Sequence, residues 1–128
     1  MGLDMYAWAV SPDEILTDAV EVTIKEEGPR QELHYWRKHH DLHGWMEELY
    51  RARGGVEDSF NCIKIKLTAL DLDALETAVT ARALPPTTGF FFGDAPPDDE
   101  SVRDDLAFIA SARRALADGL VVLYDSWW

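Results

Sequence analysis

Two segments at opposite ends of this chain are apolar on both faces of a strand. In residues 3–10, Tyr6, Trp8 and Val10 alternate with side chains that are also mostly apolar, and residues 120–125 are almost continuously apolar. A strand of this composition needs cover on both faces, as interior strands have. The sequence therefore predicts a sheet in which the first and last segments are both interior strands.

Two further segments predict strands with one face in water. Val20, Val22 and Ile24 alternate with polar residues, and residues 63–67 alternate isoleucine or leucine with lysine. Ser11 followed by Pro12 is typical of a short helical turn.

Two helices are indicated in the second half of the chain. Thr68 has an acidic residue three positions later, which favours a helix start, and Leu72, Leu75 and Val79 supply an apolar stripe. Residues 101–117 predict another helix, in which Val102, Leu106, Ile109 and Leu116 face inward. We expect a single α+β domain over residues 1–128, with a roughly four-stranded, mainly antiparallel sheet packed by about three helices.

A long helix is predicted over residues 30–53, between the Gly28-Pro29 break and the Gly54-Gly55 pair. Helical spacing then places its apolar face on four residues: Tyr35, Leu42, Met46 and Leu49. Trp36, His39, His43 and Tyr50 flank this face on one side, and Lys38 and Trp45 on the other.

His39 and His43 have the spacing that lets two imidazoles on one helix reach one metal ion. A third ligand would come from elsewhere, the candidates being His34, Asp4, Asp41, Asp125 and Asn61. The alternatives are histidines at a pocket margin or in the core. No cofactor can be assigned, and the sequence leaves open whether the protein is an enzyme.

Aromatic and basic side chains concentrate in a few segments, and Arg37-Lys38 could clamp an anionic group beside a stacked ring. The segment from Gly89 to Gly93 adds three consecutive phenylalanines. The predicted ligand-binding set is Tyr6, Trp8, Tyr35, Trp36, Arg37, Lys38, His43, Trp45, Asn61, Phe91, Tyr124 and Trp127.

The formal charge of −12 is large for 128 residues and repels phosphate backbones, which argues against direct nucleic-acid binding. This charge either only keeps the protein soluble, or it forms an acidic surface that mimics nucleic acid and binds in a partner's basic groove. The single cysteine, Cys62, suits a reducing compartment. With no apolar run long enough to cross a bilayer and no visible signal peptide, we expect a cytoplasmic protein without membrane partners.

The combination of several short motifs resembles a family of small uncharacterised proteins from bacteria and phages. The motifs are the start Met1-Gly2-Leu3-Asp4-Met5-Tyr6, Tyr35-Trp36-Arg37-Lys38, His43-Gly44-Trp45, Asn61-Cys62, Gly89-Phe90-Phe91-Phe92-Gly93 and the ending Tyr124 through Trp128. The resemblance implies that these segments matter together, but it implies no activity.

Three functions are consistent with these patterns. The first is a small-molecule or peptide-binding domain with one aromatic pocket, which the resemblance relates to phages. The second is an acidic protein-interaction module that interferes with a host protein, and the third is a metal-dependent enzyme using His39 and His43. A homodimer is compatible with all three.

Overall fold

A computed structural model describes residues 2–85 and 99–128 of the chain. They form an α+β domain. Its strands are β1 (Asp4–Val10), β2 (Ile15–Thr17), β3 (Thr23–Ile24), β4 (Gln31–Arg37), β5 (Ile65–Leu67) and β6 (Val121–Trp127). Its helices are α1 (His40–Ala52), α2 (Ala69–Thr80) and α3 (Asp99–Ala117), with a short 3₁₀ turn at Pro12–Glu14.

The main sheet has the strand order β4-β1-β6-β5, and every neighbouring pair is antiparallel. β1 and β6 are the two inner strands. This confirms the prediction that the doubly apolar first and last segments lie in the interior of the sheet, where both of their faces are covered or partly covered.

One face of the sheet carries the helices and the main core. Side chains that alternate along the four strands point to this face, because successive residues of a strand face opposite ways. The buried cluster there joins Met5, Ala7, Trp36, Ile65 and Tyr124 of the sheet to Leu42, Met46, Leu72, Leu75, Phe108 and Ile109 of the helices.

The opposite face is covered only in part by the β2–β3 hairpin. Val22 and Ile24 pack there against Val10 and Leu123, with Trp8 at the margin of this second small cluster. All the buried residues of α1 to α3 among the described ranges belong to the other side. Within residues 2–85 and 99–128, no element other than the hairpin packs on this face of the sheet.

The predicted long helix over residues 30–53 is wrong in its first third. Residues 31–37 form the edge strand β4, and the helix begins only at His40. Between them Lys38 has a left-handed backbone with φ 61°, which ends the extended conformation of β4. Tyr35 and Trp36 consequently point to opposite faces of a sheet, and Tyr35 does not share a helix face with Leu42.

The two later helices agree better with their sequence patterns. Thr68 caps α2 in a reciprocal capping box with Asp71, and Leu72, Leu75 and Val79 are buried as predicted. In α3, Ile109 is buried, but Val102, Leu106 and Leu116 are only half-buried. The fully buried positions of α3 include Asp105, Phe108 and Ala112. None of the helices in the described ranges is long and apolar enough to span a membrane.

Candidate functional site

The residues predicted to line one aromatic pocket are divided between the two faces of the sheet. Tyr6, Trp8, Tyr35, Arg37 and Trp127 lie on the face opposite the helices, whereas Trp36, His43 and Tyr124 lie in the helix-covered core. The single pocket expected from the sequence is therefore not formed by the described residues. The physical reason is the strand conformation of β4, in which neighbours such as Tyr35 and Trp36 face opposite ways.

The strand register arranges the face opposite the helices in cross-strand rows. We call this surface the open face and define it by nine residues: Asp4, Tyr6, Trp8, Glu32, Tyr35, Arg37, Lys64, Asp125 and Trp127. Arg37, Asp4 and Trp127 form one row across β4, β1 and β6, and Tyr35, Tyr6 and Asp125 form the next. Lys64 extends the second row, with its Nζ 3.4 Å from a carboxylate oxygen of Asp125.

Three aromatic rings of the open face, those of Trp8, Tyr6 and Tyr35, contact one another in a ladder. The Tyr6 and Trp8 rings are stacked, with centroids 5.4 Å apart and planes 10° from parallel. Tyr35 packs beside Tyr6 at 5.2 Å, and the Arg30 guanidinium lies 5.3 Å from the Trp8 ring centroid. Such contacts hold the rings in fixed positions, because a flanking ring or cation favours one orientation.

Two aromatic side chains of the open face are exposed to water. Trp127 is 62% exposed and Tyr35 is 44% exposed. The Tyr35 hydroxyl donates a 2.5 Å hydrogen bond to Asp4, and this bond, followed by partial desolvation, raises the pKa of Tyr35 above its usual value. Burial and neighbouring carboxylates also raise the pKa of Tyr6, so both tyrosines of the ladder are neutral near pH 7.

Charges on the open face nearly balance. Its carboxylates are Asp4, Glu32 and Asp125, and its cations are Arg37 and Lys64, with Arg30 lying over Trp8. Three negative and three positive groups contrast with the formal charge of −12 for the whole chain. The large negative field of the protein is therefore not concentrated here.

On the helix-covered side, His43 belongs to a buried group of rings that we call the His43 cluster: His43, Tyr50, Phe60, Tyr124 and Trp128. Phe60 stacks on Tyr50 with centroids 5.1 Å apart and on Tyr124 at 6.1 Å. The His43 ring lies 5.1 Å from Phe60 and meets the Trp128 ring edge-on at 4.9 Å.

His43 is held neutral by this environment. It is 8% exposed, and its Nδ1 lies 2.6 Å from the Tyr124 hydroxyl. Burial, with a smaller contribution from His40, lowers the pKa of His43 to about 4. Burial likewise raises the pKa of Tyr124 well above its usual value, so the phenol keeps its proton.

The remaining predicted binding residues lie at other places. Asn61 exchanges two hydrogen bonds of 3.1 Å with the backbone N–H and C=O of Trp128. Trp45 is half-buried on α1, and Lys38 forms the left-handed corner after β4. Phe91 and the rest of the Gly89 to Gly93 segment lie outside the described residues.

Asp105 is a polar residue of the core that the sequence patterns did not single out. It is 2% exposed, and its two carboxylate oxygens accept hydrogen bonds from different side chains. Trp36 Nε1 donates to Oδ1 at 3.0 Å, and His39 Nε2 lies 2.8 Å from Oδ2. Its position three residues after Val102 and four before Ile109, within the apolar stripe of α3, is the signal that could have identified it.

The two histidines predicted to share a metal ion have different partners. His39 occupies the N-cap position of α1 and its Nε2 contacts Asp105, whereas the Nδ1 atom of His43 contacts Tyr124. Across residues 2–85 and 99–128, no group of three or more His, Cys, Asp or Glu side chains has the arrangement of a metal site. His39 lies at the N-cap of α1, before its first helical turn, so the helical spacing from which the metal site was predicted does not apply to this pair, and the shared site stays a prediction.

Comparison of the chain with family models, with curated proteins and with solved structures finds no match.

Proposed function

We propose that this protein is a peptide-binding domain whose recognition surface is the open face of its main sheet. The observation that carries the proposal is the position of Tyr6, Trp8, Tyr35 and Trp127, which come from three adjacent strands and lie on one face of the sheet, where Tyr35 and Trp127 are exposed and Tyr6 and Trp8 are half-buried. Tyrosine, tryptophan and arginine are the residues most enriched where protein surfaces bind partners.

The shape of the surface favours a peptide over a small molecule. Sites for small molecules are concave and enclose most of the ligand. The open face is a sheet surface, and the nearby groove lined by Ile15, Leu16, Asp18 and Lys66 is only half enclosed, with a volume of about 280 Å³. An extended peptide can cover several rows of such a surface at once.

The chemistry of the open face also indicates the kind of peptide. Trp127 and Tyr35 would contact apolar or aromatic side chains of the partner, while Arg37 and Asp125 would pair with its polar groups. Because the charges on the face are balanced, we expect the complex to depend on apolar contact and hydrogen bonds, and salt to weaken it only slightly.

The test is selection of peptides from a random library on the immobilised protein, followed by titration of a selected peptide by fluorescence anisotropy. Trp127→Ala and Tyr35→Ala should each weaken binding about tenfold or more, because central aromatic residues of an interface commonly contribute about 2 kcal/mol. Leu70→Ala is the matched control. Leu70 is also exposed, at 79%, but lies on α2, on the other side of the sheet, and its truncation should leave the affinity within about twofold.

The proposal fails if selected peptides bind the Trp127→Ala and Tyr35→Ala proteins as tightly as the unaltered protein. A steep loss of binding with salt would instead favour the acidic interaction module, since such a module binds through long-range charge. The open face offers that alternative no particular support, because its carboxylates alternate with cations. The association with phages, which the family resemblance implies, stays a prediction. The formation of a homodimer also stays a prediction.

A further inference from the structure

We infer that the His43 cluster is a second, closed binding site, which Trp128 covers and which takes a flat, neutral aromatic molecule carrying one hydrogen-bond acceptor. This site lies on the helix-covered side of the sheet, so it is separate from the open face. Three observations support it, concerning the imidazole, the covering ring and the contacts that hold that ring.

The imidazole of His43 has one nitrogen without a partner. Nδ1 is satisfied by the Tyr124 hydroxyl at 2.6 Å, but Nε2 is fully buried, and no group within the described residues is in hydrogen-bond reach of it. Buried polar atoms are nearly always paired, and leaving one unpaired carries a penalty. An unpaired nitrogen of a side chain that is 8% exposed therefore points to a missing partner.

The hydrogen-bond pattern indicates what that partner must be. Tyr124 keeps its proton and a phenol donates readily, so its hydroxyl donates to Nδ1 of the neutral imidazole. The imidazole proton is then on Nε2, an assignment that follows from the pattern of partners. Nε2 can donate, and a ligand must present an acceptor such as a ring nitrogen or a carbonyl oxygen.

Trp128 is the member of the cluster that reaches the surface. It is 37% exposed, while the other four residues are at most 8% exposed. Its indole meets the His43 ring edge-on, so displacing it would uncover a space of indole size lined by His43 and its aromatic neighbours. Tight aromatic walls select a flat ring of similar size.

Trp128 is held in place by a contact that could be released without disturbing the core. Its backbone exchanges two hydrogen bonds with the Asn61 amide, and Asn61 directly follows Phe60 of the cluster. Any ligand must displace the indole, so the fraction of open molecules sets its apparent affinity.

The experiment compares two probes of the same size, quinoline and naphthalene, by NMR titration of the full chain near neutral pH. The Trp128 indole and the ring protons of His43 report on binding. Quinoline carries a ring nitrogen that can accept from Nε2, and we expect it to bind about tenfold more tightly than naphthalene. Asn61→Ala should tighten both probes about fivefold, because it releases the covering ring.

His43→Phe and Leu70→Ala complete the design. Phenylalanine keeps the ring but removes the donor, so the preference for quinoline should disappear, whereas Leu70→Ala, at an exposed position on α2, should leave both affinities unchanged. Equal affinity of the two probes for the unaltered protein would overturn the inference, and would indicate that only a buried water pairs with Nε2. Shifts confined to Tyr35 and Trp127, or no shifts at all, would overturn it as well.

Discussion

His43 and Asp105 are polar side chains in the same aromatic core, and they are stabilised in opposite ways. His43 is neutral and has one partner for its two nitrogens, whereas each oxygen of Asp105 accepts a hydrogen bond. The core therefore tolerates His43 only in its uncharged form and holds Asp105 through paired donors. We therefore expect the free energy of unfolding to change when His43 is protonated or when Asp105 is replaced.

The pKa of His43 predicts a loss of stability in mild acid. Because the pKa is lowered to about 4 in the folded protein from 6.5, the unfolded chain takes up the proton first. Full stability is present above about pH 6.5, and it falls as the pH decreases toward 4, by a total of about 3 kcal/mol. Urea unfolding at several pH values should show this, and His43→Phe should flatten the profile.

The titration of the Glu76 carboxylate affects stability at lower pH than the titration of His43. Hydrogen bonds from Arg113 lower the pKa of Glu76 below its usual 4.5, so the stability that it contributes is lost only at still lower pH. A profile between pH 6.5 and 4.5 that is unchanged in His43→Phe would contradict the assignment of the effect to His43.

Replacing Asp105 by asparagine should lower the free energy of unfolding by about 2 kcal/mol. The amide removes the charge that strengthens both hydrogen bonds, and its NH₂ group would face an N–H donor of Trp36 or His39. The neighbouring Asp104→Asn is the matched control, because Asp104 is half exposed in its contact with His34 and should change the stability by at most about 0.5 kcal/mol. Equal effects of the two changes would show that the buried pairing is unimportant.

At the scale of elements, the beginnings of α1 and α2 differ in how they are specified. α2 begins at a capping box in which Thr68 and Asp71 bond to each other's backbone N–H groups. His39 makes no side-chain cap to α1, which instead follows the left-handed corner at Lys38. The start of α1 is thus determined by the pairing of β4 with β1, a contact between distant parts of the chain.

The capping box predicts a measurable local contribution. Thr68→Ala should lower the free energy of unfolding by about 1 kcal/mol, because it leaves the Asp71 N–H at the start of α2 without its acceptor. Thr68→Ser retains the hydroxyl and should restore most of the loss. Thermal unfolding of the three proteins would measure both effects, and a loss in Thr68→Ser equal to that in Thr68→Ala would disprove the role of the cap.

In the molecule as a whole, the sheet is centred on two strands that are more than a hundred residues apart. β1 pairs with β6 over seven residue positions and with β4 on its other side. The β2–β3 hairpin, by contrast, consists of strands of three and two residues that cover a small cluster. We therefore expect the inner strands β1 and β6 to be more stable against local unfolding than the β2–β3 hairpin.

Hydrogen exchange should reveal this difference in stability. Amides of Ala7 in β1 and Leu123 in β6 should exchange only through global unfolding, because they lie in the inner strands above the core. Amides of β2 and β3 should exchange at least about tenfold faster through local opening. Uniform exchange across both sheets would contradict this description of the molecule.

The parts of the fold that could be predicted from the sequence are those whose signals are local. The two-sided apolarity of residues 3–10, the alternation around Ile65 and the cap at Thr68 each define an element by its own residues, and the structure confirms them. β4 was missed because its aromatic residues fit helical spacing as well as strand alternation over so short a range. Tyr35 and Trp36, both strand-favouring, were the available signal.

The composition of the candidate sites was decided by tertiary structure. The sequence contained the aromatic side chains, but the pairing of β4 with β1 sent Tyr35 to the open face and Trp36 to the core. The partner of His39 lies 66 residues away on α3, and that of His43 lies 81 residues away on β6. Periodicity determines which side chains share a face of one element, whereas contacts between elements depend on register and packing, which no local pattern encodes.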